Sequence, residues 1–456
     1  MDFRSTDISK IKDEFPQKRD CLSKIVNYLR SENQKRICGV FGLKRTGKTT
    51  LMKQAALSIP DEERKKSVFI TCEKESNFRR IVEFLRESIA SGKKYFFIDE
   101  ITLTDKFQIL AEVLSDNLVD LKNARIVVSG TESLGLSLAS HSSLYDRIEI
   151  VHTTYMPFAE FARIRGNSSI DHYIKHGCAL SKQNPFETKQ STKEYIESCI
   201  VDNFIKSVEK SDKGPHCYPL DLKNPCKRKE AENAIRTIIN FYIQNIGLDD
   251  FYNSYSERIY ETVHKLLKEM DVILELPIET LRVNLDNPKE NKSCHRLEVL
   301  SNPGMYFASL NNSRERAYEK ILEQFVIADA FKMLEKKGDY CEDLGYTKLY
   351  RWRVARVLAK SKGYEDIAIL IICDRKEKKT FAFEINHSGQ LETKPLADCI
   401  EENFGKIAFS ATLCDGKCDM DSKTTALDIS DFLIDIYNNS NDSGYSIEDT
   451  ITRFAH

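Results

Sequence analysis

The chain has 456 residues, with 68 Lys and Arg against 70 Asp and Glu and a formal net charge of −2 at pH 7. At 41% hydrophobic and 30% charged residues it can bury a sizeable core, and its length suits roughly two to four domains of ~150 residues each. This balance argues against a protein that coats nucleic acid by charge alone, the N-terminus Met1-Asp2-Phe3-Arg4 has no apolar signal segment, and no apolar run approaches the ~20 residues of a membrane span.

The first element in chain order that carries chemistry is Ile37-Cys38-Gly39-Val40-Phe41, an apolar run that predicts a buried strand. Gly42-Leu43-Lys44-Arg45-Thr46-Gly47-Lys48-Thr49 follows, and Thr50 to Leu57 reads as a helix. The spacing G-x-x-x-x-G-K-T between strand and helix aims backbone N–H groups and the positive helix end at one point, which suits a phosphate chain. The two glycines allow the backbone to come close. Residues 42–50 are the expected nucleotide contacts, with Lys48 reaching the β- and γ-phosphates and the Thr49 hydroxyl ligating Mg²⁺. Ser67 to Thr71 predicts a strand, and the apolar spacing of Phe78, Ile81, Val82, Phe84, Leu85 and Ile89 predicts a helix. Lys93-Lys94-Tyr95-Phe96-Phe97-Ile98-Asp99-Glu100 then reads as a strand closed by two acids, a Walker B pattern. Asp99 is expected to hold Mg²⁺ through water and Glu100 to orient or deprotonate the attacking water. After a helix from Phe107 to Leu118, the strand Ala124 to Thr131 offers Ser129 or Thr131 as a sensor of the γ-phosphate, and Ile148 to Val151 supplies a fifth strand behind Arg147. Alternating strands and helices predict a parallel sheet covered on both faces, with ligands at the carboxyl ends of the strands.

Phe15-Pro16-Gln17-Lys18-Arg19, the motif from Gly42 to Leu51, Phe97-Ile98-Asp99-Glu100, Val128-Ser129-Gly130-Thr131, Tyr145-Asp146-Arg147 and Met156-Pro157-Phe158-Ala159-Glu160-Phe161 resemble, in order and spacing, the prokaryotic archaeal-type ATPases of the AAA+/STAND branch of P-loop proteins. The resemblance implies an α/β fold of the additional-strand kind over residues 1–165, with ATP and Mg²⁺ as cofactors. It also implies that Arg147 contacts the γ-phosphate, in cis or from a neighbouring subunit; the alternative is a surface salt bridge. A helical lid and winged helix are expected over 166–310, and a restriction-endonuclease-like α/β domain over 311–456.

In the middle region, Glu194 to Val208, Lys229 to Ile246 and Ser256 to Met270 read as helices. The cluster Lys223, Lys227, Arg228 and Lys229 reads as a solvated helix start. The resemblance implies wing strands in Val272 to Leu276 and Arg296 to Leu300, ending in a turn at Asn302-Pro303-Gly304-Met305. Further on, Arg314 to Leu334 predicts a long helix carrying Glu319 and Glu323, and Leu349 to Val354 a strand. Two further strands bear Asp366 and Glu384, which could hold a divalent metal between them. The endonuclease-like resemblance expects a lysine where Asn386 stands, and an amide neither carries a positive charge nor shuttles a proton. A degenerate structural domain is therefore expected in preference to an active nuclease.

The 13 cysteines fall mostly within apolar runs, as at Cys38, Cys72 and Cys373, the usage of reduced thiols in a cytoplasmic protein. Cys414 and Cys418 lack a second pair to complete a zinc site and read as two unrelated thiols. The functional expectation is an ATPase whose nucleotide state drives conformational change; an ATP-regulated DNA nuclease and a slow-turnover signalling switch are its rivals. Double-stranded DNA, a second copy of the chain or a partner protein stay open as partners, and no membrane is expected.

Overall fold

The computed structural model describes residues 3–11, 15–31, 37–116, 124–140, 144, 146–181, 183–211, 220–246, 257–309, 314–335, 340–343, 348–360, 367–385, 394–414, 425–440, 442 and 445–454. The chain forms two compact units, one of residues 1–156, 178–241 and 250–273, the other of residues 157–177, 242–249 and 274–456. Among the described residues no helix is long and apolar enough to cross a membrane.

The first unit is built on a six-stranded sheet. Its strands are β1 (Phe3–Thr6), β2 (Ile37–Phe41), β3 (Ser67–Cys72), β4 (Tyr95–Asp99), β5 (Arg125–Ser129) and β6 (Ile148–His152). They lie in the order β1-β3-β4-β5-β2-β6. All neighbours run parallel except β1, which pairs antiparallel with β3. Every residue of β2 and β4 is buried, as strands covered on both faces require, and this is why they read as unbroken apolar runs. Side chains alternate between two cores. Ile37, Phe41, Phe96, Ile98 and Ile126 pack with helices Phe78–Ala90 and Phe107–Asp116. Cys38, Val40, Phe97 and Val127 pack with α1 (Leu22–Arg30) and α2 (Lys48–Leu57) on the other face. Strand β5 lies between β2 and β4, so the strand feeding the glycine-rich loop and the strand ending in acids flank a third. Their carboxyl ends form the crevice where open parallel sheets bind ligands.

The same unit holds a helical segment. Thr188 caps helix Lys189–Tyr195 through a reciprocal bond pair with Ser191. A π-helical turn, Ile196–Val201, joins it to helix Asp202–Ser211, where an uninterrupted helix was expected. Pro225 opens helix Pro225–Gln244, a position where its missing N–H costs nothing.

The second unit carries a seven-stranded sheet. In chain order its strands and their neighbours are β7 (Ile273–Leu276), β8 (Glu279–Asn284), β9 (Lys292–Cys294), β10 (Leu297–Leu300), β11 (Tyr340–Asp343), β12 (Lys348–Tyr350), β13 (Trp352–Lys360), β14 (Ile367–Asp374), β15 (Lys379–Ile385), β16 (Ile407–Cys414) and β17 (Ala426–Asp428). The large sheet runs β17-β16-β15-β14-β13-β8-β9, while β10 pairs with β7 and β11 with β12. The two strands expected as the wing, β7 and β10, pair with each other, while β8 between them joins β13 in parallel. The expected Asn-Pro-Gly-Met turn opens helix Pro303–Ser309. Asn302 Oδ1 accepts from Gly304 N at 3.0 Å and proline takes the first helical position, a helix-start pairing that is easily read as a turn. Cys414 is disulfide-bonded, which corrects its reading as an unrelated thiol.

Candidate functional site

The loop between β2 and α2 is held in shape from three sides. Gly42 lies at φ +151°, where a Cβ would stand 2.2 Å from Thr153 Oγ1, and Gly47 lies at φ +83°. Any side chain at Gly42 would therefore push the loop off β6. Thr46 Oγ1 donates to Leu43 O at 2.9 Å and shares a 2.8 Å bond with Thr153 Oγ1. Leu43 N donates to Thr154 Oγ1 at 3.2 Å. Beneath the loop, the buried Arg19 guanidinium donates to Thr46 O and Thr153 O, both at 3.1 Å, and to Tyr155 O at 3.2 Å. The segment before Arg19 is tied to α2, because Gln54 Nε2 donates to Phe15 O at 2.6 Å. From above, Leu180 N donates to Arg45 O at 2.8 Å, and Tyr195 Oη donates to Lys44 O at 3.3 Å.

Lys48 is 7% exposed and its ammonium donates to Gly42 O at 2.8 Å and Leu43 O at 2.9 Å. Burial pushes its pKa down to about 8, against the pull of Glu100 and Asp99. The loop thus carries a cation that its own desolvation destabilises and that a polyanion would restore.

The acids face it from the end of β4. Asp99, 2% exposed, has its pKa raised by burial, while hydrogen bonds from Ser129 and Thr49 and the Lys48 charge oppose the rise. Ser129 Oγ donates to Asp99 Oδ1. Glu100 sits at φ +58°, a left-handed conformation uncommon outside glycine, which turns its side chain off the strand. Both Thr131 N, at 2.8 Å, and Thr131 Oγ1 donate to Glu100 Oε2. Thr49 and Asp99 supply the hard oxygen donors that suit Mg²⁺.

Lys48, Thr49, Asp99, Glu100 and Ser129 therefore converge, and Thr50 lies in the first turn of α2. Arg147 does not join them. Its carbonyl accepts from Ile37 N at 3.1 Å, at the start of β2, and a five-residue strand of ~16 Å separates that end from the loop. That backbone position lends no support to a contact in cis, while a contact from a neighbouring subunit and a surface salt bridge stay open. Glu384 is buried in β15 beside Ile369 and Thr412, but Asp366 and Asn386 lie outside the described residues. Among the described residues no cluster of three or more His, Cys, Asp or Glu is placed to hold a metal. Sequence reasoning missed the contacts made by Arg19, Thr153, Tyr195 and Asn203.

A parallel sheet with this strand order, a glycine loop at a helix start and paired acids two strands away define a P-loop nucleotide-binding protein. Residues 34–162 match the AAA domain family, so the chain carries the module of a P-loop ATPase. Among solved structures it is similar to a Walker-type ATPase of Pyrococcus abyssi, with 13% identity and a TM-score of 0.35 over 66% of this chain and 97% of that one. It is also similar to the Aeropyrum pernix Orc1 protein in complex with DNA, with 12% identity and a TM-score of 0.27 over 71% and 97%. No curated protein matches the chain.

Proposed function

We propose that the chain binds ATP with Mg²⁺ and hydrolyses it, and that nucleotide state shifts the helical segment packed over the loop. The observation that carries this reading is the meeting of a buried, destabilised Lys48 with Asp99 and Glu100 at the carboxyl ends of strands that flank β5. The loop N–H groups and the start of α2 bind the phosphates, and Lys48 recovers its full charge against them. Thr49 and Asp99 hold Mg²⁺, which supplies charge neutralisation along the phosphate chain when bound. Ser129, bonded to Asp99, senses the terminal phosphate in this reading. Glu100 keeps Oε2 on Thr131 and leaves Oε1 to take the proton of the attacking water.

Lys48→Ala is expected to abolish ATP binding, and Glu100→Gln to retain binding while lowering turnover by at least ~100-fold. Equilibrium binding and phosphate release read the two effects separately. Wild-type turnover in both variants overturns the proposal. The bonds from Leu180 and Tyr195 onto the loop favour a second reading, a switch that exchanges nucleotide slowly; purified protein carrying stoichiometric ADP supports it, and steady multiple turnover removes it.

A further inference from the structure

Glu100 is tied to a helix more than 100 residues further along the chain through one intermediary. Thr131, whose N–H and hydroxyl hold Glu100 Oε2, has its own carbonyl bonded by Asn203 Nδ2 at 2.8 Å. Asn203 is 3% exposed and belongs to helix Asp202–Ser211. Its amide orientation is fixed, because the Thr131 carbonyl only accepts and so takes Nδ2, which leaves Oδ1 to accept from Ser207 Oγ at 3.2 Å. At the other end of the same helical run, Tyr195 bonds the carbonyl of Lys44 in the phosphate loop.

The π-helical turn between them makes both contacts possible. Asp202 N donates to Glu197 O, five residues back, so the turn takes up one residue more than an α-helical turn. Tyr195 and Asn203 are eight apart in sequence, and in a regular helix they would diverge by ~80°. With one residue absorbed they are presented as if seven apart, the spacing of one helical face. The π-helical turn thus aligns two side chains onto the two halves of one site.

We infer that Asn203 is a positioning residue for Glu100, acting through Thr131, and that the π-turned helix transmits the state of the phosphate loop to the residue that activates water. This rests on the role proposed above for Glu100. Without the Asn203 donor the Thr131 carbonyl loses its partner and the end of β5 is free to shift, taking the Glu100 carboxylate out of line.

Steady-state ATP hydrolysis of the full chain tests this. Asn203→Ala is expected to lower kcat about tenfold with KM and ADP binding unchanged, alongside the modest fall in Tm that a lost buried hydrogen bond brings. Asn203→Asp keeps the shape but offers an oxygen in place of the donor, and is expected to fall equally. In a Glu100→Gln background, Asn203→Ala is expected to cost nothing further, which a general structural role would not give. Should the Asn203 variants fail to fold, Thr131→Val removes the hydroxyl held on Glu100 and is expected to lower kcat alone; wild-type kcat there overturns the inference. Wild-type kcat in Asn203→Ala, or a further tenfold loss in the double variant, overturns it while leaving hydrolysis standing. A wild-type protein that binds ATP but never turns it over overturns the hydrolysis reading, and this inference with it.

Discussion

At the scale of single residues, Lys48 decides how the site responds to pH. Burial pushes its pKa from 10.5 to about 8, so the folded, nucleotide-free protein binds fewer protons than the unfolded chain between these values. Stability of the empty protein then rises with pH across that window. A bound polyphosphate reverses the effect by restoring the charge. Nucleotide binding at pH 8 is expected to take up about half a proton, and affinity is expected to fall as pH rises through 8. Calorimetric titration in buffers of different ionisation heat measures the uptake directly; a value of zero contradicts it. Gly42 is the second decisive residue. A methyl group there would meet Thr153 Oγ1 at 2.2 Å, so Gly42→Ala is expected to weaken nucleotide binding at least tenfold, more than the few tenths to ~1 kcal/mol that added chain stiffness returns. Binding measured beside Tm separates loop distortion from global unfolding.

At the scale of elements, the loop depends on a brace that no local pattern announces. Arg19 reaches Thr153, 134 residues away in sequence, and spreads its fork over three carbonyls. Arg19→Ala is expected to cost roughly 2–4 kcal/mol in chemical denaturation, because it strands several buried carbonyls at once. Arg19→Lys recovers only part, since an ammonium lacks the planar fork; full stability in either variant would show that the brace is dispensable. The same distance dependence explains what was readable. The stretch from Gly42 to Thr49 and the acids after β4 encode their structure within a few residues, and the helix Arg314–Leu334 has the bounds its apolar spacing predicts. By contrast, Tyr195 meets Lys44 across 151 residues, and β8 finds β13 only after some 70 intervening residues. Arg147 shows the same limit: spacing along the chain says which strand follows it, not which end of the sheet it occupies.

At the scale of the molecule, the order of the chain and the division of its mass do not coincide. The first unit draws on three separate stretches, 1–156, 178–241 and 250–273, so the family-matched region 34–162 is not by itself the folded body. Residues 178–241 place Leu180 on Arg45, Tyr195 on Lys44 and Asn203 on Thr131, and they bury Ile200, Phe204, Ile235 and Ile238. A fragment ending at residue 165, where sequence reading drew the first domain, would lose those bonds and expose whatever those side chains cover, at ~25 cal/mol per Å² of apolar surface. Such a fragment is expected to lose cooperative unfolding or to melt well below the full chain, and to bind nucleotide at least tenfold more weakly, since a frayed loop must be reordered on binding. A fragment 1–273 restores every stretch of the first unit and is expected to recover most of that affinity. Thermal melts and nucleotide titrations of the two fragments beside the whole chain decide the matter: a monomeric 1–165 fragment with full affinity would show that the phosphate loop holds its shape without the helical segment above it.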